Sequence, residues 1–401
     1  MRCRTAVLCA LRAAPSCARP LACFVLSSVM WAGAGCKSFS LSKNTASKGT
    51  ACVAEADSGG GRICILRKNG DVACIGRGFK TLTTLSGRYV DLDRDCAVRA
   101  DDGAVACWRG TAPYEPKVKP EFGTGNVEVG DSLSQACVRR KGGSVFCTRA
   151  ASFGVAASSG VFDDDAQHVA AGVDVACSID SVGDVACWGD NVHGQLGRLP
   201  LREGIVVQWQ PAAPVRGLPP NITKLAVGLR HFCALSKAGE VWCWGTLFDE
   251  RVNTMTQHPC DGVRCPDFIQ PTPVRIPLPE PMTDLAGAFG MCAVSRSNEV
   301  WCWGHNSLGQ VRQPVTSRTL PRPDSVELEL SFEPSPVRWK ELGNDNVKVF
   351  GGEPNLCALK KDGSLWCWGN NQHLQLDPKP GVGPFETRPP VPPTEMNGVC
   401  P

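Results

Sequence analysis

Aromatic residues make up only 7% of this 401-residue chain, with two tyrosines, and there are six histidines. Each exposed aromatic is therefore weighed singly as an anchor. The histidines are scattered. His193 and His373 fall at equivalent loop positions three repeats apart, too distant to cooperate, and His231 reads as structural. No nucleophile, base and orienting group can be assembled, so no catalytic residue is assigned. Charge of one sign is also missing. Removing residues 1–36 takes away four arginines and leaves 38 basic against 39 acidic residues. A chain this neutral gives no electrostatic case for a nucleic-acid partner. Long apolar runs are absent too. Leu21 to Met30 is the one notable run, and nothing else is long enough to span a bilayer.

Cysteine is not scarce: there are 23. Six pairs have nine residues between them: Cys64/Cys74, Cys137/Cys147, Cys177/Cys187, Cys233/Cys243, Cys292/Cys302 and Cys357/Cys367. A seventh, Cys96/Cys107, has ten. The clearest copies read CALSKAGEVWCWG from Cys233 and CALKKDGSLWCWG from Cys357. Apolar and polar residues alternate on both sides of a short polar break, the period of a β-hairpin. Six residues after the first cysteine stands Gly70, Gly143, Gly183, Gly239, Gly363 or Asn298. Gly and Asn tolerate the left-handed backbone that ends a three-residue hairpin loop. Counting outward from that loop sets Cys64 opposite Cys74 on a non-hydrogen-bonded pair, where a disulfide fits. In the longer copy the extra residue lengthens the turn through Asp101 and Asp102, and Cys96 still faces Cys107. Buried thiols are the competing reading. Zinc is disfavoured, because two ligands on one hairpin need two more from elsewhere.

The intervals between copies leave room for further strands. One precedes each hairpin, as at Val90-Asp91-Leu92, Val169-Ala170-Ala171-Gly172 and Val349-Phe350-Gly351-Gly352. An outer one follows at Pro214-Val215, Pro273-Val274, Pro336-Val337 and Pro390-Val391, where proline suits an edge. Four short strands per unit and seven units predict an all-β, seven-bladed propeller with one hairpin disulfide per blade.

The stretch VACWGDNVHGQLG, from Val185 to Gly197, resembles the repeat of the regulator of chromosome condensation family. That family forms seven-bladed β-propellers, and a secreted bacterial β-lactamase-inhibitory protein shares the fold. The resemblance covers roughly residues 50 to 400 and is best in the last four repeats. The first three are degenerate, with CIG at Cys74, CWRG at Cys107 and CTRA at Cys147. The second cysteine is an addition to the eukaryotic pattern. The resemblance implies the fold; guanine-nucleotide exchange and chromatin binding do not transfer with it.

Residues 1–36 stand apart. Arg2, Arg4, Arg12 and Arg19 precede the apolar run, and Ala32-Gly33-Ala34-Gly35-Cys36 closes it. This reads as a lipoprotein-type signal peptide ending at a lipidated Cys36. Plain signal cleavage and an uncleaved anchor are the alternatives. Lys37 after the lipid site implies an outer-membrane lipoprotein of the cell envelope, facing periplasm or surface, and such a compartment permits disulfides. The lipid is the only membrane contact expected. Residues 37–50 read as a flexible tether and 51–401 as the propeller. Cys52 and Cys400 are expected to clasp the two chain ends, joined in one blade. Cys260 and Cys265 are expected to pair, with a metal held together with His258 as the weaker reading.

Insertions fall at one recurrent point, after the C-W-G strand: about 198–210, 246–270, 305–333 and 371–388. Equivalent points of successive blades share a face, so these loops crowd one side of the ring. Trp209, Phe248, His258 and Phe268 are the binding candidates, with Phe248 and Phe268 equally readable as core. Trp339 and the repeat tryptophans Trp108, Trp188, Trp244, Trp303 and Trp368 are expected in the core. Asp91, Asp93 and Asp95 alternate like part of a calcium loop but lack its glycine and fall on strands. No metal or cofactor is expected. The sequence favours a non-catalytic scaffold for a protein or envelope polymer. The alternative is a lyase or hydrolase with a site at the ring mouth, which clustered carboxylates there would favour.

Overall fold

The hairpin register comes from the turn. In the first copy Leu66 faces Val72, Ile65 faces Ala73 and Cys64 faces Cys74. The Arg67 N–H donates to Asp71 O and the Gly70 N–H to Arg67 O, both at 2.8 Å. Gly70 closes the loop at φ +88°, and Asn298 does the same in the Cys292/Cys302 copy at +64°. Cys96 faces Cys107 across the longer turn. Cys137 faces Cys147, Cys177 faces Cys187 and Cys233 faces Cys243. Cys292 faces Cys302 and Cys357 faces Cys367. All seven facing pairs are disulfide-bonded, with Cα atoms 4.0–4.1 Å apart, the close approach of a non-hydrogen-bonded pair.

The expected hairpin disulfides are present, and the second cysteines are buried as well. Cys187, Cys243 and Cys367 are each 0% exposed and belong to the apolar clusters between blades. They are structural core, not site residues that a partner or metal could reach. The outer strand also does not continue the regular ladder. Its register shifts between Cys187 and Gly189, Cys243 and Gly245, and Cys367 and Gly369, as it does after Cys74 and Cys302. The glycine of C-W-G leaves the extended conformation there, with φ +117° at Gly189, and the strand bulges.

This computed structural model describes residues 52–108, 115–132, 134–149, 159–199, 209–228, 230–246, 269–311, 318–320, 328–352, 354–373, 375–376 and 391–400. Cys36, the tether, Phe248, His258, Phe268, Cys260 and Cys265 lie outside them. Seven antiparallel four-stranded sheets follow one another along the chain. The innermost strands are Val53–Gly59, Tyr89–Asp93, Asn126–Asp131, Ala166–Gly172, Ile222–Val227, Met282–Gly287 and Asn346–Gly352. Each is followed by the disulfide hairpin and then an outer strand. Blades one to three also have their fourth strand, at Phe79–Thr84, Lys117–Val118 and Ser159–Asp163, with no Pro-Val signal to mark it. The sixth blade's insertion carries a small extra hairpin, Arg318–Leu320 with Leu328–Leu330, outside the blade sheet.

The apolar core is divided into seven clusters, and each joins two neighbouring blades. A four-stranded sheet is apolar on both faces here, so each blade must be covered on both sides. The repeat tryptophans do much of this. Trp244 of the fifth blade packs on Val175, Cys177 and Leu196 of the fourth. Trp368 of the seventh packs on Val294, Cys302 and Trp339 of the sixth. Trp339 is 3% exposed, a core residue as expected. Six junctions also share a backbone bond. The first inner-strand N–H of one blade donates to the turn residue of the blade before: Tyr89 to Gly70, Asn126 to Gly103, Ala166 to Gly143, Ile222 to Gly183, Met282 to Gly239 and Asn346 to Asn298.

The closure differs from the expected one. The chain ends do not share a blade: the first blade is complete within residues 53–84 and the last within 346–395. Each blade is instead contiguous in sequence, because the inner strand already precedes its own hairpin. Cys52 and Cys400 are disulfide-bonded across the junction of blades seven and one, with Cα atoms 5.8 Å apart. Arg67 Nε adds a hydrogen bond to Val399 O at 2.7 Å.

The chain-entropy account separates the two kinds of bridge. A hairpin bridge closes a short loop and contributes about 2–3 kcal/mol, whereas the Cys52–Cys400 bridge closes nearly the whole domain and reaches about 5 kcal/mol. Denaturant titration of the Cys52→Ser/Cys400→Ser protein is expected to show the larger loss. The Cys233→Ala/Cys243→Ala protein is expected to lose about half as much and to stay folded. Equal losses would remove the distinction between staple and clasp.

Candidate functional site

The seven inner strands surround a central cavity of about 370 Å³. Its wall has two chemistries. Blades four to seven present small residues, among them Ala170, Ala171, Gly172, Ala226, Ala286, Gly287, Gly351 and Gly352. Small size is required where backbones meet: a Cβ on Gly287 would overlap the Val227 carbonyl. Blades one to three present Glu55, Asp57, Asp91, Asp93, Glu128 and Asp131.

These carboxylates are engaged with the neighbouring blade. Inner-strand N–H groups that face the axis have no ladder partner, and a side chain from the preceding blade accepts them. Glu55 accepts the Leu92 N–H at 3.0 Å and Asp57 the Arg94 N–H at 3.0 Å. Asp91 accepts Val129 N–H at 2.7 Å and Asp93 accepts Asp131 N–H at 3.1 Å. Between blades six and seven, Asp284 accepts Val349 N–H at 2.9 Å while Lys224 of the fifth blade pairs with it at 2.6 Å.

The acids divide by environment. Burial pushes the carboxyls of Glu55 and Asp57 up, and those of Asp91 and Asp93 well above the usual range. For Asp91 the Glu55 and Glu128 charges add to burial. Glu128 is the exception. Burial opposes its ionisation, but His168, in hydrogen-bond contact, and Arg139 at 2.6 Å hold its carboxyl below the usual range. The expectation that Asp91 and Asp93 lie on a strand agrees with the structure, and their alternation puts both on the channel side. Asp95 is separate: it follows the strand and pairs with buried Arg62 at 2.9 Å. Among the described residues no group of three or more His, Cys, Asp and Glu is arranged to hold a metal ion.

The second candidate surface is the face carrying the connections between third and outer strands. In blade four this connection begins with Asp190 to Gly197, which is packed rather than free. Asn191 Oδ1 accepts the Leu196 N–H at 3.0 Å, and Gln195 Oε1 accepts the His193 N–H at 2.7 Å. The Gln195 carbonyl then receives Trp244 Nε1 of the next blade at 2.9 Å. Gln310 and Trp368 repeat the contact at 2.8 Å between blades six and seven. The G-Q-L ending of the motif is therefore a seam fitting. His193 and His373 share this place, and burial pushes the His193 imidazole down to about 4. His231 is 6% exposed and is also pushed down to about 4 by burial. Trp209 is half-buried and packs against the cluster that holds Trp188, so part of its surface is committed to the junction of blades three and four.

Residues 222–246, 286–310 and 347–375 match the Regulator of chromosome condensation (RCC1) repeat, and the three segments hold the hairpins of blades five to seven. A mouse secretion-regulating guanine nucleotide exchange factor is 27% identical over 236 residues, 56% of this chain and 45% of that protein. Protein pim1 of Schizosaccharomyces pombe is 27% identical over 172 residues, 42% of this chain and 29% of that protein. The chain thus spans less than half the length of these curated relatives. The solved structure of Prp20p from Saccharomyces cerevisiae, described with its binding to Gsp1p and histones, has a TM-score of 0.54 at 18% identity. It covers 86% of this chain and 76% of that one.

Replacing Trp368 by Phe keeps most of the buried ring and removes the donor to Gln310 O. The lost bond leaves a buried carbonyl unpaired and is expected to cost about 1–3 kcal/mol of stability in denaturant titration. The same change at Trp242, which is half-buried and donates only to its neighbour Glu240, is expected to cost little.

Proposed function

Starting from a seven-bladed β-propeller of RCC1 repeats, we propose that the protein is a binding scaffold that captures a protein or an envelope polymer. The observation that carries this reading is the uneven distribution of connections. Third and outer strands are joined by two residues in blade one, between Gly76 and Phe79, and by 22 in blade five, between Thr246 and Ile269. Long connections cluster in blades four to seven at one topological position, and in blades four and six the first turn of the connection is fixed in the seam with the next blade. Loops on a rigid frame are the usual place for recognition. Phe248, Phe268 and His258 of the blade-five connection, with the accessible part of Trp209, are the proposed contacts. The binding of Gsp1p and histones by Prp20p supports protein capture as a use of this fold, and carries no partner identity to this chain.

The channel carboxylates are the observation that favours the enzyme reading, a lyase or hydrolase at the ring mouth. Binding remains the better account, because oxygens of Glu55, Asp57, Asp91 and Asp93 accept backbone N–H groups of the next blade. Those bonds make structural acids of them.

We also propose that Cys36 carries the lipid and that the protein sits in the cell envelope, as an outer-membrane lipoprotein. The basic start, the apolar run and the small residues before Cys36 support this. Intact mass and detergent partitioning of the native protein check it. A chain retaining residues 1–35, or beginning unlipidated elsewhere, overturns it.

Replacing residues 246–270 by a short turn tests the binding face. The melting temperature is expected to stay near that of the parent, and capture of a partner crosslinked from the native envelope to weaken about a hundredfold. Unchanged capture by the loop-deleted ring would move the interface to the opposite face or the rim.

A further inference from the structure

At six places the polypeptide itself links one blade to the next. Two to seven residues run from an outer strand to the following inner strand, as between Thr84 and Tyr89 or between Pro214 and Ile222. Leu85, Val215, Ile276 and Trp339 each open such a linker. Each donates its N–H to the third strand of its own blade, at Val72, Val185, Val241 and Val300, over 2.8–2.9 Å. Met396 repeats the contact after the seventh blade, to Leu365 O at 2.8 Å. From there the chain runs to Cys400, and the disulfide carries the connection across to Cys52 and the first inner strand. The bridge therefore stands where a seventh peptide linker would. Among the described residues, the bond from inner strand to preceding turn found at the other six junctions has no counterpart here between Val53 and Gly363.

The bridges also differ in access. All fourteen hairpin cysteines are 4% exposed or less. Cys400 is exposed, and Cys52 is half-buried at the edge of the apolar cluster of this junction. Cys52 Sγ lies 3.7 Å from the Val399 carbonyl oxygen, which also accepts Arg67 Nε at 2.7 Å. A guanidinium thus stands close to the Cys52 sulfur. A cation there favours the thiolate, and a sulfur that leaves readily as thiolate is displaced faster.

We propose that the Cys52–Cys400 bridge is a thiol-exchange site for a dithiol reductant, and that its reduction frees the seam of blades seven and one while the hairpin bridges stay closed. A thiolate of the dithiol attacks Cys400 Sγ, the exposed sulfur. The bond between Cys400 and Cys52 breaks, and Cys52 leaves as a thiolate that takes a proton from water. The second thiol of the reductant then displaces Cys400 from the mixed disulfide. Two electrons pass from the dithiol, which ends as a disulfide, to the bridge, which ends as two thiols. Exchange needs access to sulfur, so the buried hairpin bridges do not follow. After reduction the last residues are held by the Arg67 bond to Val399 and by the packing of Met396 and Val399. The seam then opens and closes without unfolding either blade. Opening uncovers Val53, Ile63 and Ile65 on one side and Leu359 and Leu365 on the other. An oxidant that restores the bridge seals it again.

The test titrates the full chain with dithiothreitol under native conditions, blocks new thiols with iodoacetamide and maps them by peptide. Cys52 and Cys400 are expected to be labelled together, at about tenfold less reductant than any hairpin cysteine. Hydrogen exchange reads the seam on the same samples. Protection in Val53–Gly59 and Arg62–Arg67 is expected to fall about tenfold on reduction, to stay unchanged in Ile222–Val227, and to return on reoxidation. Labelling of the hairpin cysteines with or before Cys52 and Cys400 overturns the proposal. So does selective labelling that leaves exchange in the first blade unchanged, because the bridge would then not govern the seam. The Cys52→Ser/Cys400→Ser protein is expected to show the faster exchange without reductant and no further change with it. Should that variant not fold, the titration of the parent decides alone.

Discussion

Everything in this ring depends on the seams between blades. A four-stranded sheet whose two faces are both apolar has no stable existence alone, so its neighbours complete it. The seven clusters show this directly, since each draws residues from two blades. The hairpin disulfides lie inside the blades and do not join them. They hold the faces of each sheet in register so that the seams can form. What joins blades is apolar packing, the tryptophan set into the preceding connection, the backbone bond from each turn, and the carboxylates along the axis.

The hairpins were readable because two constraints agree on each. A turn residue at φ near +90° fixes which residues face each other, and a disulfide requires that one facing pair be cysteines. The insertion of a residue in the second copy, absorbed by the turn without moving Cys96 from Cys107, made the register independent of spacing alone. The bulge that follows Cys187, Cys243 and Cys367 was not readable, because it depends on the outer strand and not on the hairpin. Inner strands were readable from Val and Leu alternating with small or charged residues. The outer strands of blades one to three were not, since Lys117–Val118 and Phe79–Thr84 are exposed edges with little apolar alternation. Ring closure was misjudged for a related reason. Cys52 and Cys400 announce that the ends meet, but only the position of the first inner strand decides whether they meet within a blade or between two.

The channel was half legible. Asp91 and Asp93 drew notice as alternating acids, and alternation on a strand means a shared face. What could not be read is which face points to the axis, or that Glu55, Asp57 and Glu128 come beside them from other blades. Those proximities are set by the radial arrangement and not by any local spacing. The G-Q-L segment was legible as a family mark but not as a joint, because Trp244 lies 49 residues from the carbonyl that receives it.

The contiguity of each blade has a consequence for how the chain is made. In a ring whose ends share a sheet, the first segment waits for the last to complete its ladder. Here every blade can be finished as it leaves the ribosome, and each new one finds its predecessor already formed. The growing protein is then an arc whose leading edge, Val53, Ile63 and Ile65, stays uncovered until Met396 and Val399 arrive. Since Cys400 follows the last strand of the seventh blade, covalent sealing can occur only after all seven blades have been made. A truncated product would lack the seal and expose the seam, and these two defects would distinguish it from the finished ring.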